Sequence, residues 1–529
     1  MNTLADTILA IAFLFFAFRR TLTYLHIFQQ DDYDPARFVQ WLVRGRNFDR
    51  KASICALLLA VPALLLPIFA PFFDAIAALC IAIIGWVEPD PRLTGKKKLA
   101  MTARAARIAW IAEGVFALAA ISLISMHVPL LPWVVMIQAV PFVLVFANLL
   151  AAPYEAQIQQ RFWNEAHARL ADLKPFTIGI TGSFGKTSTK HILAHILSQF
   201  GPTLATPGSV NTAMGIARVV RETLTPHHKF FLCEMGAYGP GSIRALCDLA
   251  PPDAAVITAL GHAHYERFRT LDAVARAKSE LAESAFAHNG WAVIGSAVTE
   301  QDYARALVDE HRARVLLVGN RAGDDVRIRD VTQTQEGTTA HVDYKGATYA
   351  LSAPLFGQHH ADNMAIAFAT ACRIGMEPAL VINALRTTPQ IRHRLEVIYQ
   401  TSGAIVIDDA YNANPAGFAA ALEVLSLLGA NRRRILISPG MIELGDAHAT
   451  EHARIGALAA QHADIFLPVS PMRITAMVES FRAAAPQKPV IPCRTFADAQ
   501  KWLGDNMAYN DIVLLENDLP DLYERKLNL

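Results

Sequence analysis

Apolar segments of membrane length crowd the first 152 residues, and they limit the fold more than any other feature of the chain. A backbone in lipid has no water to bond, so such a run must be helical or part of a closed barrel. "TLADTILAIAFLFFAF" (3–18) has no basic n-region and no A-x-A cleavage signal, so it reads as an anchor and not a removable signal peptide. "ICALLLAVPALLLPIFAPFFDAIAALCIAIIGWV" (54–87) is too long for one span, and its central "PIFAPFFD" predicts a tight hairpin between two short helices. "ARIAWIAEGVFALAAISLISM" (106–126) and "WVVMIQAVPFVLVFANLLAA" (133–152) bring the expected spans to five. Glu113, two turns from one end of the fourth span, is expected to snorkel to the interface.

Charge orients these spans. The 19–51 segment carries Arg19, Arg20, Arg37, Arg44, Arg46, Arg50 and Lys51, and the 88–107 segment carries Arg92, Lys96, Lys97, Lys98, Arg104 and Arg107. The N-terminal hexapeptide and the 127–132 link carry no basic residue. The positive-inside rule makes the basic segments cytoplasmic. The N-terminus is then outside, and everything beyond residue 152 is in the cytoplasm. "DPARFVQWLVRGR" (34–46) predicts an amphipathic helix lying on the inner leaflet or packed against the cytoplasmic portion.

A chain of 529 residues has room for about three domains at roughly 150 residues each. Its 48 basic and 47 acidic residues offer no electrostatic case for nucleic acid. Six scattered cysteines without a C-x-x-C pair exclude a zinc ribbon or a disulfide framework.

The remaining chain alternates strand and helix patterns. Residues 153–175 predict an amphipathic connector helix. Residues 176–390 predict an α/β domain with a mainly parallel sheet, and 298–350 supply edge strands and turns. From 391 to 529, "GAIVIDDAY", "RRILISPG", "ADIFLPVS" and "DIVLLEND" predict a second, Rossmann-like α/β domain. The expected fold is therefore an α-helical membrane region followed by two α/β domains.

"FTIGITGSFGKTSTKHILAHIL" reads strand, glycine-bearing loop, helix. Such a loop aims backbone N–H groups at anionic oxygens, and the helix dipole adds to the attraction. Thr181, Gly182, Ser183, Gly185 and Ser188 belong to this cradle. Lys186 would reach the β/γ-phosphates and Thr187 would offer its hydroxyl to Mg²⁺. Glu234, at the carboxyl end of "KFFLC", stands where ligands of open α/β sheets bind. Taken alone, Glu234, His262, His264 and Lys278 also fit ordinary strand-end, loop and surface positions.

Six motifs occur in order: "TGSFGKT", "EMGA", "AHYERF…ARAKSE", "GQHHADN", "RHR" and "DDAYNANP". Together they resemble the Mur ligase family, closest to its branch that adds D-alanyl-D-alanine in peptidoglycan synthesis. The family's loop reads T-G-[ST]-x-G-K-[ST], so Ile180 need not be Gly. The resemblance implies ATP and two Mg²⁺ ions as cofactors. It implies Glu234 and His264 as metal ligands beside Thr187, and Lys278 carbamylated as a further ligand. It places Asn363 and His359 around the adenine, Arg394 on the γ-phosphate and Asp409 on the ribose. It likens Tyr411, Asn412, Asn414 and Pro415 to the family's closing loop and implies a domain hinge near 385–395. The implied chemistry is ADP-forming amide synthesis through an acyl phosphate, with Lys186, His264, Lys278 and Arg394 as the catalytic set.

Membrane spans stand where the family's UDP-sugar-binding domain would be. "TPGSVNTAMGI" (206–216) has Ser209 and Thr212 where the branch has Asn, and "SPGMIELGD" (438–446) replaces its G-D-M-x-E-L-G pattern. The expected partners are an amine or amino acid and a carboxylate acceptor, lipid-linked or polymeric, with other envelope-biosynthesis membrane proteins nearby. The location is the bacterial inner membrane. A UDP-linked peptide acceptor is the second reading, and an ATP-driven transporter is the competing class. Against the transporter, the spans hold few charges and no "LSGGQ" signature is present.

Overall fold

The computed structural model describes residues 2–94, 98–261, 270–411, 413–442 and 444–518. They form two compact units, one reaching to Gln159 and the other running from Gln160 to Asp518.

The regular elements among the first unit's described residues are all helices. Helices α1 (Asn2–Gln30), α2 (Pro35–Arg44), α3 (Lys51–Leu65), α4 (Ala70–Val87), α5 (Ala103–Ser125) and α6 (Leu131–Leu173) follow one another. Four stretches are long and apolar enough to cross a membrane: Leu4–Gln30, Pro67–Val87, Ala103–Ser125 and Leu131–Leu173. The expected fifth span, α3, has only 15 residues. At 1.5 Å per residue it falls short of the roughly 30 Å hydrocarbon layer. The hairpin between α3 and α4 is present, turning through the Pro67–Phe69 segment.

Ion pairs show where that hairpin begins and ends. Arg20 of α1 is buried and holds both Asp49, just before α3, at 2.9 Å and Glu88, just after α4, at 3.3 Å. Arg19 reaches Asp90 at 3.1 Å. The hairpin therefore leaves one level of the bundle and returns to it. Glu113 departs from expectation: it is half-buried, and Oε1 is enclosed by protein without a hydrogen-bond partner.

Two further expectations are corrected. The segment 153–175 is no separate connector but the continuation of α6, a 43-residue helix with Pro141 and Pro153 inside it. Helix α2 turns Phe38 and Leu42 inward, with the Phe38 ring 6.1 Å from Tyr24 and 5.0 Å from Phe28 of α1. Its apolar face is thus spent on a neighbouring helix, and the outward face keeps Arg37 and Arg44 exposed.

The second unit begins with a nine-stranded sheet among the described residues, in the order β2-β3-β1-β4-β5-β6-β7-β8-β9. The strands are β1 (Phe176–Thr181), β2 (Thr203–Ala205), β3 (Phe230–Glu234), β4 (Ala254–Ile257), β5 (Trp291–Gly295), β6 (Val315–Gly319), β7 (Val326–Thr334), β8 (Gly337–Tyr344) and β9 (Ala347–Ala353). Pairing is parallel from β2 through to β7, and β7–β9 add an antiparallel meander at the edge. The period of two explains why "KFFLC" is a continuous apolar run. Phe231 and Cys233 pack into one core layer, while Phe230 and Leu232 pack into the layer on the opposite face.

A five-stranded sheet follows, ordered β10-β11-β14-β12-β13: β10 (Glu396–Tyr399), β11 (Ile405–Asp409), β12 (Arg433–Ser438), β13 (Ile465–Pro468) and β14 (Asp511–Glu516). Only β10 is antiparallel to its neighbour. Each segment of the C-terminal alternation seen in the sequence is one of these strands.

Candidate active site

The loop after β1 lies at the carboxyl edge of the parallel sheet and runs into the helix Lys186–Ser198. Gly182 and Gly185 hold φ of 154° and 78°, values open to glycine and costly for other residues. The space is closed as well: a Cβ on Gly182 would strike Thr258 Oγ1, and one on Gly185 would lie 2.5 Å from Asn363 Oδ1. Lys186 is half-buried and its Nζ donates to the carbonyls of Gly182 (2.7 Å) and Ser183 (3.3 Å). Burial, together with the charge of Arg394, draws its pKa down, partly offset by Glu234. Ser183 donates its hydroxyl to Gly261 O, Thr181 donates to Met235 O, and Ser188 is buried in the first turn of the helix.

Glu234 is the hub. Its Oε2 accepts from Thr187 Oγ1 at 3.0 Å and from Lys190 Nζ at 2.9 Å, and its Oε1 accepts from Asn211 Nδ2 at 3.3 Å. Lys190 also donates to Gly208 O at 2.6 Å. It was not anticipated from the sequence, although it follows Thr187 by three residues and so shares its helix face. Asn211 ties the 206–216 loop to the same carboxylate and accepts from Tyr238 Oη at 3.1 Å.

Lys278 is buried in the helix Leu271–Ala287, and its Nζ donates to Gly182 O at 3.0 Å. Desolvation and the neighbouring Lys186 pull its pKa down to about 7, so an appreciable share of the amine is neutral. His262 and His264 lie outside the described residues, as does Asn412.

Asn363 accepts from Thr189 Oγ1 at 3.1 Å, and the His359 ring lies 4.4 Å from that of His360, tilted by 39°. Burial and Arg394 hold His359 near a pKa of about 4, so it is neutral. Arg394 lies 4.1 Å over the Tyr411 ring, a cation–π contact, between His393 (φ 59°) and Leu395 (φ 50°). Asp409 accepts from Leu395 N at 3.2 Å, and burial raises its pKa to about 6 against the opposing pull of Arg394. Asn414 has a local duty instead: its Oδ1 accepts from Ala416 N and Gly417 N and caps the helix Pro415–Leu428. Pro415 takes the first helical position.

The structure thus brings Lys186, Thr187, Glu234 and Lys278 to one edge of the sheet, with Arg394, Asp409 and Tyr411 grouped at the start of the second sheet. Thr187 Oγ1 and Glu234 Oε2 are hard oxygen donors 3.0 Å apart, a set suited to Mg²⁺. Lys186, Lys190 and Arg394 against Glu234 make the pocket cationic, as a polyphosphate requires.

Comparison with known proteins agrees with this geometry. Residues 180–371 match the Mur ligase middle domain, and residues 393–516 match the Mur ligase glutamate ligase domain. Together the two matches take in more than half of the chain. The UDP-N-acetylmuramoyl-tripeptide--D-alanyl-D-alanine ligase of Mycobacterium tuberculosis is 35% identical over 294 residues, which are 53% of this chain and 56% of that one. The enzyme of the same name from Bacillus subtilis is 31% identical over 293 residues, 55% of this chain and 62% of that one. The chain therefore spans less than two thirds of the length of these relatives. Among solved structures, MurF from Acinetobacter baumannii aligns with a TM-score of 0.58 at 25% identity, covering 68% of this chain and 77% of that chain.

Proposed function

The chain belongs to the Mur ligase family, and from that premise we propose that it is a membrane-anchored, ATP-dependent ligase forming an amide bond in cell-envelope biosynthesis. The observation that carries the proposal is the convergence of Lys186, Thr187, Glu234 and Lys278 on the loop Gly182–Gly185.

In this reading the loop N–H groups and the helix Lys186–Ser198 bind the β- and γ-phosphates, and Lys186 exchanges its carbonyl partners for phosphate oxygens. A substrate carboxylate oxygen bonds to the γ-phosphorus as the β–γ bridging P–O bond breaks, releasing ADP. The amine then attacks the acyl carbon, loses a proton, and inorganic phosphate leaves. Mg²⁺, when bound, neutralises phosphate charge. Thr187, Glu234, His264 and the carbamate of Lys278 would hold the two ions. A neutral amine is the form that adds CO₂, and the lowered pKa of Lys278 supports that modification. Carbamylation exchanges a positive charge for a negative one in an otherwise cationic pocket. In this reading His359 and Asn363 serve the adenine, Asp409 the ribose and Arg394 the γ-phosphate. Tyr411, Asn412 and Asn414 lie in the closing segment, which excludes water from a hydrolysable intermediate.

The proposed domains are 1–152 as membrane region, 176–390 for ATP and 391–529 as the closing domain, with 153–175 the continuation of α6. The anchor, with the N-terminus outside and the ligase domains in the cytoplasm, keeps the site close to a lipid-linked or polymeric acceptor and raises its effective concentration. Four helices of spanning length support it. A UDP-linked muramoyl tripeptide acceptor, with D-alanyl-D-alanine as the amine, is the second reading. It is favoured by the names of the relatives that are at least 30% identical.

Detergent-purified protein given ATP, Mg²⁺ and pairs of carboxylate and amine, the muramoyl tripeptide among them, is expected to release ADP and phosphate only with a productive pair. Release of AMP and pyrophosphate would refute the acyl-phosphate route.

A further inference from the structure

Strand β14 ends on Glu516, and the parallel register sets it directly opposite Asp409 of β11. Glu516 is 0% exposed and Asp409 is 9% exposed. Among the described residues neither Glu516 oxygen meets a hydrogen-bond donor, while the two side chains lie within hydrogen-bonding contact of each other. Two carboxylates cannot both stay ionised in such a site, so a proton must lie between them. The backbone reinforces the pairing. Asn517 N donates to Asp409 O at 3.1 Å and Asp518 N donates to Ala410 O at 2.8 Å, so the end of β14 grips the segment leading to Tyr411. Asn517 is itself pinned, its Nδ2 donating to Gly440 O at 2.6 Å.

We propose that Glu516 is a positioning residue for the nucleoside sugar: as the protonated partner it donates a hydrogen bond to Asp409 and fixes the Asp409 carboxylate so that its free lone pairs accept from the ribose hydroxyls. The inference rests on the ribose role of Asp409 in the proposed function. Burial pushes the carboxyl of Glu516 well above the usual range, and the facing Asp409 pushes it the same way. Arg394 and Asp408 are the other charged groups acting on Asp409, and Arg394 keeps Asp409, not Glu516, as the ionised member.

The test is equilibrium binding of ADP, 2′-deoxy-ADP and 3′-deoxy-ADP to the full-length protein in detergent, which needs no acceptor substrate. Glu516→Gln retains a donor and is expected to keep the wild-type preference for the ribonucleotide. Glu516→Leu removes the donor and should lower that preference about tenfold, the worth of one hydrogen bond to a charged group. A carboxylic-acid C=O stretch in the infrared spectrum that vanishes in Glu516→Gln would be the mark of the shared proton, which a merely structural side chain lacks. A ribose preference unchanged in Glu516→Leu, or no such band in the wild type, overturns the inference and leaves the ligase reading untouched. Absence of ADP binding to the wild type would instead overturn the nucleotide site itself.

Discussion

Lys190 Nζ stands 2.9 Å from Glu234 Oε2, with the two residues 3% and 1% exposed. The buried carboxylate proposed as a metal ligand thus already holds a resident cation, and Thr187 shares the same oxygen. Lys190, itself held by Gly208 O, fixes the orientation of Glu234 through this ion pair.

Replacing Lys190 with Met should therefore cost more than a surface ion pair. A buried carboxylate left without its partner destabilises a fold by about 3–5 kcal/mol. Denaturant unfolding should show the loss, and adding Glu234→Gln to the variant should restore part of it. An additive double mutant would mean that the pair is not coupled.

Lys278→Ala should reduce ADP release in the presence of both substrates on the order of a hundredfold, the scale for losing one charge-stabilising group. Short-chain carboxylic acids, supplying the lost anion, should recover part of the activity. Lack of rescue would speak against a carbamate.

Gly185→Ala places a side chain at φ 78°, with its Cβ 2.5 Å from Asn363 Oδ1. The left-handed backbone costs about 1–2 kcal/mol, and Asn363 must also release Thr189. Nucleotide affinity should fall at least tenfold in an ADP titration, with secondary structure unchanged by circular dichroism.

His452 is buried and neutral, accepting from Met441 N at Nε2 (3.0 Å) and using Nδ1 on His448 O (2.7 Å). Desolvation lowers its pKa from 6.5 to about 4. The unfolded chain takes up the proton first, so stability is intact above pH 6.5 and falls as the pH drops through 6.5 towards 4. Unfolding midpoints measured across that interval should decline, and His452→Gln, which keeps an acceptor without the titration, should flatten the decline.

Arg20→Met in the helical unit would leave Asp49 and Glu88 facing each other without their cation. A loss of about 3–5 kcal/mol is expected, seen as a lower melting temperature in detergent. A melting curve like that of the wild type would show that the hairpin of α3 and α4 does not depend on this clamp.

Periodicity alone located the strand before the phosphate loop, the helix after it, and all four parallel strands of the second sheet. Those signals are local, arising from burial on both faces of a strand and from glycines at positive φ. Short motifs marked Lys186 and Thr187 in the first turn of a helix and Glu234 and Asp409 at strand ends, whereas Lys278, in mid-helix, and Arg394, in the bend before β10, were suggested only by the family resemblance. Lys190 and Glu516 escaped. A lysine on a helix and an acid ending a strand look like surface residues until pairing sets Lys190 beside Glu234 and Glu516 beside Asp409. The same holds for Arg20. In sequence it is one basic residue at the end of an apolar run, whereas in the fold it is buried between carboxylates 29 and 68 positions away. Composition and local pattern decide which segments become helix, strand or loop. Only the tertiary structure decides which charges share one desolvated space, because that depends on contacts between residues far apart in the chain.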